Sequence, residues 1–425
     1  MQSTLHRLLL SVLVSALMAL TAGSASAQLT GNISGTLPGN TVYTSELIRL
    51  EPGQTLTIEA GAVIKFMEIG NFFQIEGQLI VKGTAQNPVI FTSIHDDSAG
   101  GDTNGNGSAT MAAPGDWQGL LFLAGSSGTV EHCENRFGGF GTRSFELRGA
   151  AIDFSDCLVR DTISSGWDLT GQTPGSTFTR CHAVRCQGRA FDFVPAMAMA
   201  DFLDCTAQGC GANAVSVRGN GIIGSDLTVQ PRNGIEGSVL ISTQLRVNAG
   251  VLLTVEPGTS FKHDVIDSRW TVNGSLDARG TAGSPIVFTE FRDDSVGGDT
   301  NGDGAISGPG PGRWQSVDFE PGSGPHDLRF CEFRYAGRAG TAISVGDVSV
   351  EMTDCLIRDS MRSGIDCRLS QTPCRFERLR LVGGGPDDAI RGVRLDRVPD
   401  FVDCVAIGNQ RNRMRVGQAR VMDAV

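Results

Sequence analysis

The chain is short of aromatic residues, short of charge and without a long hydrophobic run. Aromatics make up 6% and charged residues 19% of 425 positions, against 56 Gly. That balance argues for a β-rich solenoid or sandwich rather than for helices. The apolar stretch 8–20 is too short for a comfortable membrane span, and no later segment offers a longer one. Cys-x-x-Cys is absent, and only His132 and His182 sit beside cysteines, so a zinc site has no support. Basic residues are outnumbered: the net charge is −11. An acidic chain is a poor partner for nucleic acid or an anionic membrane surface.

What is present begins with an export pattern. His6 and Arg7 precede the apolar run, and Ala25-Ser26-Ala27 forms a small-residue cleavage site. Residues 1–27 therefore read as a signal peptide. The residue directly after that site is Gln28 and not Cys, so a lipid anchor is not expected. The expectation is a secreted or cell-surface protein, with the periplasm as an alternative. Its charge without residues 1–27, which carry one Arg and no acid, becomes −12.

The chain is also duplicated. A shift of 197 residues places Thr57 on Thr254, Glu59 on Glu256, Lys65 on Lys262, Asp102 on Asp299 and Trp117 on Trp314. The shift grows to 198 at Cys157 and Cys355, then to 199 at Cys205 and Cys404. This divides the chain into a first half, 28–227, and a second, 228–425, expected to form one continuous solenoid. Within each half runs a period of 24, linking Cys133, Cys157, Cys181 and Cys205, and also Val130, Phe154, Phe178 and Phe202. Such a step suits one coil of three short parallel strands, each coil stacked about 4.8 Å from the last. The fold class expected is all-β, a right-handed parallel β-helix of two tandem halves. Phe154 and Cys157 are three apart, so a bend must separate them if both point inward. Residues 28–46 are expected to cap the N-terminal end. The Arg-rich 409–425 is expected to be a short cap or disordered.

Each half carries one Asp/Gly loop, 93–116 and 290–313. In the second, Asp299, Asn301 and Asp303 alternate and Gly304 supplies a sharp bend, matching the opening of a calcium loop. Asp293 and Asp294 are placed to complete the shell. Position twelve holds Gly310 instead of a bidentate Glu, so this is not an EF-hand. The upstream copy offers Asp96, Asp97, Asp102, Asn104 and Asn106, one carboxylate fewer, and weaker binding is expected there. The alternative is an Asp/Asn/Gly turn folded through its own side-chain hydrogen bonds.

With these elements in view, the chain resembles the right-handed parallel β-helix, pectate-lyase-like superfold. It is similar, more narrowly, to exported bacterial β-helix repeat proteins with turns such as Thr-Ile-Glu-Ala-Gly-Ala-Val-Ile-Lys-Phe at 57–66. The resemblance covers nearly all of 47–408 and implies the fold. It implies no particular activity, because this superfold hosts lyases, hydrolases, epimerases and adhesins.

Other features divide between chemistry and architecture. The eleven cysteines read best as stacked buried thiols, with Cys367–Cys374 and Cys186–Cys210 the nearest to disulfide candidates. Arg160-Asp161 and Arg358-Asp359 suggest the basic residue of a uronate lyase, but they recur at a turn position and read better as a turn ladder. Trp117 and Trp314 are candidate sugar-stacking platforms, but their shared position in the two halves favours rings that cover the base of each loop and pack on the coil edge. No residues form a convincing catalytic dyad. The function expected is a non-catalytic, monomeric scaffold that binds polysaccharide or cell-envelope glycan, with calcium as a structural aid. The alternative is a calcium-assisted polysaccharide lyase.

Overall fold

The computed structural model describes residues 27–417 apart from 142–143, 172–174 and 369. The expected signal peptide therefore lies outside the described residues, save Ala27. Short strands stack in parallel as a β-solenoid of about 16 turns with a spacing near 24 residues. The period seen in the sequence is the ladder register: Phe154 pairs with Phe178 and Phe178 with Phe202, while Phe145, Trp167, Phe191 and Val215 form a second inward column. Rings in register stack. Phe154 and Phe178 lie 5.2 Å apart at 6°, and Phe178 and Phe202 lie 4.6 Å apart at 4°. Each such side chain contributes about 1.5–3 kcal/mol through burial.

The bend required between Phe154 and Cys157 is Asp156, at φ 54°, and both flanking side chains are buried. Arg180 and Asp204 take the same left-handed conformation on the next coils, as do Asp354, Arg378 and Asp403 in the second half. Stacking opposite charges at these bends offsets part of the backbone cost. Arg180 donates to Asp156 at 2.7 and 2.6 Å, and Arg378 to Asp354 at 2.6 and 2.7 Å. Asp161 belongs to a parallel ladder, at φ 55° and bound by Arg185 at 2.6 and 2.8 Å. The Arg160-Asp161 motif is thus a turn device.

At both ends the segments expected as caps, 28–46 and 409–425, contain strands that extend the ladders. Ala27–Asn32 and Gly35–Leu37 are ladder strands, paired with Val42–Leu50 and Thr55–Glu59. Their polar side chains suit an end exposed to water. Arg411–Gly417 pairs with Asp388–Arg394 because Met414 and Val416 alternate with arginines, a strand pattern concealed by the charge. Residues 418–425 lie outside the described set.

The halves meet out of phase. In the first half three faces run up the solenoid. One contains Val63–Phe66 and ends at Thr206–Gln208, one contains Phe72–Ile75 and reaches Ala212–Val217, and one contains Thr55–Glu59 and ends at Phe202–Leu203. Ala212–Val217 then pairs with Ser238–Ile241, and that strand with Ser260–His263, the counterpart of Val63–Phe66. The second face of one half therefore becomes the first face of the other. The remaining two faces start afresh at Ile222–Ile223 and Leu227–Val229, against the 3-10 turn Ala196–Asp201. The interior forms two large apolar clusters that change over near the junction, with Ala196, Met199 and Val217 joining the cluster of the second half and Ile235 that of the first.

Candidate functional site

Each Asp/Gly loop leaves the solenoid after a first-face strand, Val89–Ser93 or Ile286–Glu290, and drapes back across that face. Its stem is held by a buried ion pair. Asp293 is 2% exposed and accepts from Thr289 at 2.6 Å, Ser295 at 2.5 Å and Arg334 at 3.0 Å. Asp96 is held likewise by Thr92, Ser98 and Arg136 at 2.7, 2.5 and 3.2 Å. These two aspartates, offered by the sequence as cation ligands, are occupied as anchors.

Beneath each loop lies a lysine that sequence reasoning passed over. Lys65 and Lys262 are fully buried and donate to the Gly101 and Gly298 carbonyls at 2.6 and 2.7 Å. The chain holds only three lysines, and two sit here at equivalent positions; that scarcity was the available signal. Burial lowers Lys262 to about 8 despite the opposing field of Asp294, Asp293 and Asp299. Gly298, at φ 64°, admits this packing, since a Cβ there would lie 1.7 Å from Glu236 Oε2.

The loop tip is where the two copies part. Asp299 closes the turn by accepting the Asp303 and Gly304 N–H groups at 3.1 and 2.8 Å. Asp102 does the same for Asn106 and Gly107 at 3.1 and 2.7 Å. In the second loop, carboxylate oxygens of Asp294, Asp299 and Asp303 come within 4.8 Å of one another. Asp294 Oδ1, Asn301 Oδ1 and Asp303 Oδ1 are hidden from solvent and accept no hydrogen bond among the described residues. Hidden acceptors without donors are costly, and Asp294 is raised by burial and, against the pull of Lys262, by its carboxylate neighbours. With Asp293 matched by Arg334, the three carboxylates outnumber the one buried ammonium, and Glu236 adds a further negative charge beside Lys262. A divalent cation with oxygen ligands fits this set in chemistry and charge.

Upstream, the amides of Asn104 and Asn106 instead tie into Thr110 at 3.4 and 2.9 Å, and Thr110 contacts His95 at 3.0 Å. Asp97 and Asp102 against Lys65 leave a single charge. Asp97 Oδ1 is the hidden acceptor there without a donor among the described residues.

Trp117 and Trp314 are not surface platforms. Both are fully buried beneath the loops and donate through Nε1 to the Arg136 and Arg334 carbonyls, each at 2.8 Å. Trp117 stacks on Phe66 at 4.1 Å, and Trp314 stacks on His263 at 4.2 Å. His263 is the counterpart of Phe66. Burial pushes it down to about 4, so it is neutral, and its Nε2 accepts from Trp270 at 3.0 Å while Nδ1 contacts the Thr289 carbonyl at 2.8 Å. The eleven cysteines are thiols, nine of them buried. Cys157 and Cys355 point to the Val130 and Leu328 carbonyls at 3.2 and 3.5 Å.

Three outward surfaces complete the inventory. On the third face of the first half, Thr57, Ile80, Thr129, Asp153 and Thr177 stand in register beside Thr55, Gln78 and Ser127. This strip is rich in hydroxyl groups, with the Gln78 amide, Ile80 and the Asp153 carboxylate among them. On the second face Glu146, Asp168 and Asp192 are in register but 6%, 1% and 3% exposed. Arg148 engages Glu146 at 2.6 Å, Arg218 engages Asp192 at 3.0 Å, and the Thr170 N–H donates to Asp168 at 2.9 Å. In the second half Asp277, Asp327 and Glu351 line a groove of about 470 Å³. Arg279 bridges Asp277 and Asp327 at 2.8 and 2.9 Å.

Chelation is expected to lower the melting midpoint of the second half. At a hundredfold excess of calcium over its dissociation constant, the stabilisation lost is about 2.7 kcal/mol. Asp303→Asn, which copies the upstream residue, should remove most of that difference in calorimetry. An unchanged midpoint on chelation would sink calcium as the ligand.

No helix among the described residues is long and apolar enough to cross a membrane. Comparison with protein-family models, with curated proteins and with solved structures yields no match. The stacked strands themselves make the chain a parallel β-solenoid.

Proposed function

We propose that the protein is an exported, non-catalytic scaffold of the right-handed, pectate-lyase-like kind. In this reading it presents the hydroxyl-rich strip of its first half to polysaccharide or cell-envelope glycan, while calcium rigidifies the second Asp/Gly loop. The observation that carries the reading is where the charges go. Many of the acids and arginines are held in ion pairs, some of them at turn positions, as in Asp156–Arg180 and Asp354–Arg378, and the in-register acids Glu146, Asp168 and Asp192 are buried. An acid and base pair must reach substrate to act on it. A face rich in hydroxyls, by contrast, supports binding without chemistry.

The second reading, a calcium-assisted polysaccharide lyase or related enzyme, is favoured by one feature. Asp277, Asp327 and Glu351 gather from three coils into one open groove with Arg279. Against it, Arg279 pins two of these carboxylates together. One experiment separates the readings. Incubated with calcium and a panel of polysaccharides that includes uronates, the protein should sediment with an insoluble glycan and generate neither unsaturated product absorbance nor new reducing ends. Turnover that disappears in Glu351→Gln would install the enzyme reading in its place.

A further inference from the structure

The second Asp/Gly loop has neighbours that the first lacks. It crosses the junction and reaches the last coil of the first half. The Asn213 N–H donates to the Thr300 carbonyl at 2.8 Å, and Asn213 Nδ2 donates to the Asp299 carbonyl at 3.0 Å. Asn213 Oδ1 in turn accepts the Cys210 N–H at 2.9 Å, so one side chain joins the loop to the turn before Ala212–Val217. Gly302, at φ 70°, presses against that turn: a Cβ there would lie 2.6 Å from the Cys210 carbonyl oxygen. A cavity of about 370 Å³ remains between the loop, Gln208 and Glu236. Asp299 thus faces two ways. Its carboxylate organises the cluster at the loop tip, and its carbonyl holds the other half of the molecule.

Other ties cross here too, Arg189 to Ser242 at 2.8 Å and Asp264 at 2.5 Å, and Asn233 to the Ala200 and Phe202 carbonyls at 2.9 and 2.7 Å, but none of them ends on the carboxylate cluster. Two of the three faces are interrupted here and the apolar interior is divided, leaving one continuous ladder through Ala212–Val217 and Ser238–Ile241. A repeat array is held by nearest-neighbour contacts alone. A step in its phase is therefore where local opening is cheapest.

We infer that the second loop is a cation-set latch: ordering of Asp294, Asp299 and Asp303 around a divalent ion fixes the Asp299–Thr300 backbone against Asn213 and so locks the two halves in one relative orientation. The latch rests on the calcium reading of that cluster. The upstream loop carries no such duty, since among the described residues its tip bonds to no distant turn, and Lys65 and Arg136 fasten its base.

Hydrogen exchange on the full chain, with calcium or with chelator, tests this. In the native sequence calcium should slow exchange on the order of tenfold at the amides of Cys210 and Asn213 and across 231–239, as well as within 293–304. In Asn213→Ala the protection within 293–304 should persist while that of 206–217 and 231–239 is lost. Protection confined to 293–304 in the native chain would overturn the latch and leave calcium binding intact. No protection anywhere would overturn both. If Asn213→Ala retained protection on both sides of the junction, Asn213 would not be the coupling residue and the latch as drawn would be wrong.

Discussion

Arg334→Ala is expected to destabilise the second half by about 3–5 kcal/mol, because it strands a buried charge. The guanidinium side chain is 11% exposed and contacts Asp293 at 3.0 Å, Glu332 at 2.5 Å and Ser295 at 2.9 Å. Without it Asp293 keeps Thr289 and Ser295 but loses its salt bridge. Burial opposes ionisation of Asp293, yet hydrogen bonds from Ser295, Thr289 and Arg334 outweigh that and hold the carboxyl below its ordinary 3.8. A carboxyl depressed in the fold lends stability above its unfolded value, and that stability drains as pH falls through the folded one. The native chain should therefore lose this contribution only below 3.8, whereas the variant lacks it already at neutral pH. Urea unfolding at neutral and at strongly acid pH should show a gap that narrows as acid is added. A gap below about 1 kcal/mol at neutral pH would mean that the pair is held too loosely to anchor the loop.

Phe178→Ala should cost a similar amount, about 3–5 kcal/mol, by a different route. The ring is wholly buried, stacked between Phe154 and Phe202 and met edge-on by Phe191 at 6.0 Å. No side chain on an adjacent coil can swing into the gap, because each ring is fixed by its own neighbours. The damage belongs to the first half alone. Calorimetry should resolve an early, calcium-insensitive transition separate from that of the second half. A single cooperative shift of the whole profile would show instead that the two interiors unfold together.

Much of the fold was legible because a stacked coil writes its period into the sequence directly. Phe154, Phe178 and Phe202 are 24 apart because they are one rung apart, and no tertiary detail intervenes. The oxygen cluster was legible in part: Asp299 and Asp303 declare themselves by spacing. That Asp293 and Asp96 serve arginines cannot be read locally, since Arg334 and Arg136 arrive from the next coil. Trp117 and Trp314 could not be placed by pattern either, because an indole beneath a loop and one upon it occupy the same position in the chain. The exchange of Phe66 and Phe73 for His263 and Trp270 was visible as two substitutions. Only contact shows that they form one compensated hydrogen bond. The phase step left no trace, for a strand's pattern says which side faces inward and not which of three sheets it will extend.

That step has a geometric outcome for anything that binds. Because the second face of one half continues as the first face of the other, the duplicated loops do not project along a common line. They are turned from each other by one side of a three-sided rod. A straight filament laid lengthwise would meet a single loop, while a partner that curls around the rod, or a surface with depth enough to enfold it, would meet both. Duplication here has produced two addresses on different sides of the same shaft.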